Sequence, residues 1–357
     1  MGAIKEEEQG RIASVDALRG IGAFLVVLSH ALPAAWLLQS SRDPTLFLSV
    51  GRIGVAAFFM VSGYVIPFSF RGRDTVGSFW IKRFFRLWPA YWLTIILAMV
   101  VVTPRVVAMG NWQLALNFTM LQQFFLQPNA VSVFWTLQIE LVFYVLVTLF
   151  AVSGLLFDIR WNTITIVGLV LASIASGFAR SVYQAPLPVA LPIALSMMFV
   201  GTRVRFVRMG LCRNYAALFA LTLVGILVAC HFAYNSGVRP TDNGGRFMVA
   251  YSIAMLLFLT FEQMRGVPRV MEYLGVISYS VYLLHPVVLH AIEKTAGDIS
   301  VAWRLAIDIP ATLVVAAIVY YAIEHPAQNI GRRIASKLRA NHVAPHSSLD
   351  RARNAMN

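Results

Sequence analysis

The sequence predicts an all-α fold, a polytopic membrane helix bundle of about ten transmembrane helices with both termini cytoplasmic. Three observations carry that prediction. The 357 residues are 59% hydrophobic and only 13% charged, with a mean hydropathy of +0.71, whereas a soluble domain carries about a quarter charged residues. Apolar runs near the roughly 20 residues that cross a bilayer recur along the whole length. Basic residues alternate between successive loops as the positive-inside rule requires.

Taken in order, the expected spans are about 16–36, 53–70, 88–103, 135–157, 162–179, 187–203, 214–234, 247–264, 273–292 and 303–323. The stretch Trp112 to Gln127 is apolar but carries Asn117, Gln122, Gln123 and Gln127. It is expected to be re-entrant or interfacial, because lipid offers such amides no partners. The first run holds Arg19 and His30 and lacks a small-residue cleavage site, so no cleavable signal is expected. With the N-terminus inside, the cytoplasmic segments collect 21 of the 29 Lys and Arg residues, from Lys5 and Arg11 through Arg71, Arg73 and Arg203 to the tail. The other 8 are Arg42, Arg52, Arg105, Arg180, Arg239, Arg246, Lys294 and Arg304. An odd number of spans would scramble this alternation.

The net charge of +13 sits mostly in those membrane-proximal segments, where topology and anionic lipid account for it without nucleic acid. Two cysteines, Cys212 and Cys230, make neither a disulfide framework nor a metal cluster, and no metal is expected. Residues 12–333 are expected to form one integral membrane domain, and 334–357 a polar cytoplasmic tail without fixed structure.

Arg19 and His30 are the first candidate site. They lie eleven residues apart on the first span, which on a helix is about three turns plus roughly 20°, so they share a face with about 16 Å between their levels. Intramembrane ionisable groups face a bundle interior or a wet cavity and mark function. The alternative is a packing histidine beneath a snorkelling arginine. Arg83 and Arg86, three apart on the most basic inner segment, form either a fork for a phosphate-rich ligand or a topological anchor among aromatic belt residues. No glycine-rich phosphate loop accompanies them. Ser62 and Gly63 on the second span permit close helix approach. Glu140 lies inside the fourth span, where a carboxylate must be paired or protonated. Tyr279, Tyr282 and His285 recur at three-residue spacing on the ninth span ahead of Pro286, giving either a catalytic stripe or a hydrogen-bonded seam. Glu324, at the inner end of the last span, is close in depth to Arg19.

These pieces resemble, in order and spacing, the integral membrane acyltransferase family 3, the O-acyltransferases of bacterial surface glycans such as exopolysaccharide, O-antigen and Nod factor. The resemblance runs from about Ile12 to Arg333. It rests on Ser14-Val15-Asp16-Ala17-Leu18-Arg19-Gly20 followed by His30, then Phe59-x-x-Ser62-Gly63-Tyr64, Arg83-x-x-Arg86 and Trp135-Thr136-Leu137-x-x-Glu140. Ser278-Tyr279-Ser280-x-Tyr282-Leu283-x-His285-Pro286 and Glu324-x-Pro326 complete it. The SGNH hydrolase-like domain that some members carry after the last span is not expected here.

The resemblance implies a multi-pass enzyme of the bacterial inner membrane that moves an acyl group, usually acetyl, from cytoplasmic acyl-CoA to a carbohydrate hydroxyl. Acetyl-CoA is then the donor substrate, a cell-surface or lipid-linked carbohydrate the acceptor, and polysaccharide assembly proteins are further partners. Arg83, Arg86 and Arg19 would hold the donor, and His30 would act as base or nucleophile. Glu140 would stand near it by depth, with Asp16 and Glu324 acting on Arg19. Ser62, Tyr279, Tyr282 and a backbone group freed beside Pro286 remain open as oxyanion stabilisers, with His285 in a supporting role. The rival readings are a proton-coupled secondary transporter using Arg19, His30 and Glu140 as its relay, and a passive scaffold for glycan assembly.

Overall fold

The computed structural model describes residues 2–32, 49–70, 75–235, 237–238, 243–296 and 300–338, with side chains from residue 13 onward. Arg42, Arg71, Arg73, Arg239 and the stretch 339–357 of the expected tail lie outside the described residues, as do the side chains of Lys5 and Arg11.

Ten long helices follow one another: α1 (Gly2–Ala31), α2 (Val50–Val65), α3 (Val76–Val100), α4 (Trp135–Val152), α5 (Ile159–Tyr183), α6 (Ala190–Arg208), α7 (Ala216–Tyr234), α8 (Gly244–Gln263), α9 (Arg269–Ala296) and α10 (Val301–Val319). A wide π turn, Tyr320–Glu324, extends α10, and helical backbone continues from 325 through 338, past the expected domain boundary. No strand occurs among the described residues.

Nine of these helical segments are long and apolar enough to cross a membrane. The exception is α3, whose first half carries Lys82, Arg83 and Arg86. Its contacts nevertheless run beside α9 from Leu87 to Val101. Tyr279 donates to the Leu87 carbonyl at 2.9 Å, and Lys294 reaches the Val101 carbonyl at 3.4 Å. Fourteen or fifteen residues separate these contacts on either helix, about 21 Å of parallel course. The second half of α3 therefore lies alongside α9. The basic segment before it, expected as a loop, is helical from Val76, because Thr75 caps it by accepting from the Ser78 amide at 3.2 Å.

Central to the bundle is α1, which packs on α9, α2, α8 and α10. Small residues allow that. A Cβ on Gly20 would overlap the Gly275 backbone of α9, and one on Gly22 would lie 2.8 Å from the Gly54 carbonyl of α2. Close glycine contacts of this kind let membrane helices gain dispersion and backbone contact where no hydrophobic drive exists between them. Helices α5 and α7 lie at the edge: Ile164, Leu171 and Phe178, seven residues apart in turn, form an exposed apolar stripe suited to lipid.

The segment from 104 to 134 consists of short turns, including the helix Asn111–Phe118. Asn117 and Gln127 find partners within it, and Gln122 does so through Nε2 while its Oε1 stays unpaired among the described residues. Asn117 Oδ1 accepts from the Ala130 amide at 2.8 Å, and Gln122 Nε2 donates to Asn129 Oδ1 at 2.8 Å.

Candidate active site

One end of the bundle gathers charge. Arg19 Nη1 donates to Asp16 Oδ1 at 2.9 Å, one turn back on α1, and its Cζ lies 5.4 Å from the Phe58 ring centre. Arg83 Nη2 donates to Ser69 Oγ at 2.8 Å, with its guanidinium 5.2 Å from the Tyr144 ring. Arg86 lies within electrostatic range of Glu324, Tyr144, Glu140 and Asp16. Glu324 is buried, accepting from Ser280 Oγ at 2.6 Å and from Gln328 Nε2 at 3.0 Å. It is also within electrostatic range of both Arg86 and Arg19. Arg19's direct carboxylate partner is Asp16, and Glu324 acts on it from further off.

Tyr144 is the hub that sequence reasoning missed. It is fully buried, faces Arg83 and Arg86, and donates to Glu140 Oε1 at 2.6 Å. An aromatic residue in an apolar run reads as core. The available signal was its position four residues after Glu140, one turn along the same face.

Glu140 in turn lines a partly open cavity with Val55, Phe58, Phe59, Thr136, Leu137, Tyr279 and Tyr282. About 320 Å³ there is free of atoms, of which about 20 Å³ can seat the centre of a water molecule. That is room for one or two waters, since one water needs about 10–15 Å³ by this measure. Tyr282 crosses its upper wall, its hydroxyl 2.8 Å from Thr136 Oγ1 and 3.1 Å from the Val133 carbonyl. Phe58 lies between the two ends, near Arg19 on one side and 6.2 Å from the Tyr282 ring on the other.

Beyond Tyr282 stand two imidazoles. The His285 ring centre is 6.0 Å from that of Tyr282 and 4.9 Å from that of His30. His285 is fully buried, whereas His30 is exposed in the last turn of α1. Sequence spacing set His30 deep in an apolar run. The helix instead ends at Ala31, consistent with Pro33 two residues on in the sequence, since the residue before a proline is biased away from helix. Glu140 is tied to Tyr144, and the His30 ring bonds its own helix, Nδ1 lying 2.9 Å from the Val26 carbonyl. Ser62 is buried with no hydrogen-bond partner for its hydroxyl, and it is absent from the cavity wall. It sits on the stretch of α2 that packs against α6, where Gly63 meets the Met198 backbone.

The fold and this line of side chains are those of a polytopic membrane protein with an arginine cluster on one side of a small cavity and two imidazoles on the other. The chain belongs to acyltransferase family 3, whose acyltransferase domain matches residues 12–323. Nodulation protein 10 of Rhizobium leguminosarum bv. viciae is 24% identical over 92% of this chain and 97% of its own. Acyltransferase MdmB of Streptomyces mycarofaciens is 27% identical over 145 residues, 38% of each chain. YrhL of Bacillus subtilis (strain 168), by its name a candidate peptidoglycan O-acetyltransferase, is 23% identical over 93% of this chain. The match spans 57% of YrhL's length. No solved structure matches the chain.

Proposed function

We propose that the protein transfers an acyl group, acetyl in the first instance, from acyl-CoA to a hydroxyl of a cell-surface or lipid-linked carbohydrate. The setting is the bacterial inner membrane, with the arginine end and both termini facing the cytoplasm. The observation that carries this reading is the succession of side chains from Arg83 and Arg86 by Tyr144 and Glu140, then Tyr279 and Tyr282 in the cavity wall, to His285 and His30.

Each part of that line suits one part of the reaction. Guanidiniums are forks for phosphate, and CoA carries several phosphates at one end. The narrow cavity beside Glu140 suits the thin arm of the donor better than a sugar ring. An imidazole is suited to take a proton from an attacking hydroxyl at physiological pH. The exposed His30 is where a bulky acceptor reaches the thioester. Relatives named for nodulation and for peptidoglycan O-acetylation fit a saccharide acceptor.

The test uses inside-out vesicles holding the full-length protein, supplied with acetyl-CoA labelled in the acetyl group, with mass spectrometry of the cell-surface glycans of strains with and without it. Release of CoA with a glycan mass increase of one acetyl group is the expected result. Uptake of a solute without CoA release would replace the reading with transport, and an unchanged glycan would remove the saccharide acceptor.

A further inference from the structure

The two imidazoles share a feature that packing alone does not require. His30 Nδ1 lies 2.9 Å from the Val26 carbonyl and 3.3 Å from Ser29 Oγ, while Ser29 Oγ itself donates to the Val26 carbonyl at 2.8 Å. A carbonyl only accepts, so the ring nitrogen facing it carries the hydrogen. Neutral His30 is therefore protonated on Nδ1, and its Nε2 presents a bare lone pair.

His285 repeats the arrangement on another helix. Its Nδ1 lies 3.3 Å from the Val281 carbonyl, again one turn back. The Tyr282 carbonyl, which Pro286 deprives of its helical partner, is also within hydrogen-bonding reach of the ring. Nε2 of His285 is buried and has no partner. A buried polar atom left without a partner costs about 1–3 kcal/mol, and a catalytic role is one of the reasons such an atom is kept.

The helices bring these rings together by construction. Gly20 of α1 meets Gly275 of α9, and His30 and His285 each follow ten residues later. Two parallel helices in contact at the glycines reach the same level about 15 Å further on. There the ring centres stand 4.9 Å apart at 59°.

We propose that His30 and His285 form a two-imidazole proton relay in which His285 is a second catalytic base, on the donor side. The proposal rests on the acyl-transfer reading above for the identity of the donor. The acceptor O–H proton passes to His30 Nε2 as the oxygen bonds to the thioester carbonyl carbon. The carbonyl re-forms, the C–S bond breaks and its electron pair leaves on sulfur. The proton moves from His30 to His285 Nε2, directly or through one water, and from there to the departing thiolate. The products are the ester and free CoA thiol, and both rings end neutral. Burial places His285 beside the cavity wall at Tyr282, and exposure places His30 toward the acceptor, which matches this division.

The test compares wild-type protein with His285→Gln and His285→Phe, full-length and reconstituted in proteoliposomes, following thiol release from acetyl-CoA in mixtures of H2O and D2O. Glutamine keeps a hydrogen-bonding group that cannot titrate, and phenylalanine keeps the ring. Both variants are expected to hold KM for acetyl-CoA within about twofold and to lose about 10²-fold or more in kcat. The dependence of rate on D2O fraction should change from curved, for protons in flight at two sites, to linear. A kcat within threefold of wild type, or a loss that leaves the curvature unchanged, would overturn the relay. A second measurement is independent of turnover: 15N-histidine NMR of the wild-type protein in nanodiscs should show both rings protonated on Nδ1. A proton on Nε2 of either ring sinks the proposal whatever the rates. If wild-type protein releases no thiol from acetyl-CoA, the donor reading fails and the tautomer measurement still decides the pair.

Discussion

The arginine end and the histidine end of this line of side chains place polar groups in a membrane protein in different ways. At the arginine end the polar groups mostly meet one another: Arg19 is paired to Asp16, Arg83 to Ser69, Glu324 to Ser280 and Gln328, and Glu140 to Tyr144, while Arg19 Nε and Arg83 Nε stay without a partner among the described residues. At the histidine end each ring is tied through Nδ1 to its own helix, and His285 keeps Nε2 unused. Mutual pairing suits a surface that holds a charged ligand, where geometry and charge must be ready before binding. A bare lone pair suits the place where a proton has to go. The difference separates binding from reaction along one line of side chains.

Variants can break that division. The largest effect is expected for His30→Ala, motivated by the exposed imidazole at the end of the line: activity should fall by about 10²–10⁴-fold with membrane insertion intact. Glycan acetylation normalised to inserted protein measures it, and near-normal turnover would remove His30 as base or nucleophile. Next come Arg83→Ala and Arg86→Ala, which should act on the donor. A charge-assisted hydrogen bond is worth about 1.5–3 kcal/mol, so KM for acetyl-CoA should rise roughly 10- to 150-fold while kcat changes little. A fall in kcat at unchanged KM would erase the contrast between the two ends. Inverted or failed insertion would instead assign these arginines to topology.

Arg19→Lys is expected to cost about tenfold in vesicle assays. Lysine keeps the charge and the ability to snorkel but loses the planar fork that reaches Asp16 while lying near Phe58. Wild-type activity in that variant would show that only a positive charge is needed at this position. The smallest effect should come from Tyr144→Phe, which removes the hydroxyl donated to Glu140 and keeps the ring against Arg83. A loss of a few-fold, shared between kcat and KM, would sharpen the view that Tyr144 joins the two ends. A change in KM alone would place it with the arginines.

Much of the bundle was legible because a bilayer imposes a strong rule: long apolar runs must close their own hydrogen bonds as helices. The same rule found α3 only in part, as the span 88–103, because the arginines of its first half dilute the hydropathy there. Arg19, His30, Glu140, His285 and Glu324 stood out as ionisable residues in apolar surroundings, and of these Glu140 lines the cavity while His285 stands beside His30. Their pairing was not legible. Whether His30 meets Glu140 or His285 depends on how α1 is rotated against α9, and that is decided by the Gly20–Gly275 contact, which spacing within a single helix cannot reveal. Tyr144 and Phe58 were hidden for a different reason, since aromatic side chains in apolar runs look alike whether they fill a core or line a path.

The π turn at Tyr320–Glu324 holds one residue more than an ordinary helical turn would, with the His325 amide bonded back five residues to the Tyr320 carbonyl. One extra residue advances everything after it by about 100° around the helix axis. The segment that follows meets the arginine end directly: Gln328 holds Glu324, and Gly331 sits so close to Phe85 of α3 that a Cβ there would lie 2.7 Å from the Phe85 side chain. The inserted residue thus works as a phase setting. Shortening the turn by one residue would leave every helix present and every site residue in the chain, yet would turn the 325–338 segment away from α3 and take with it the wall against which Arg86 faces Glu324.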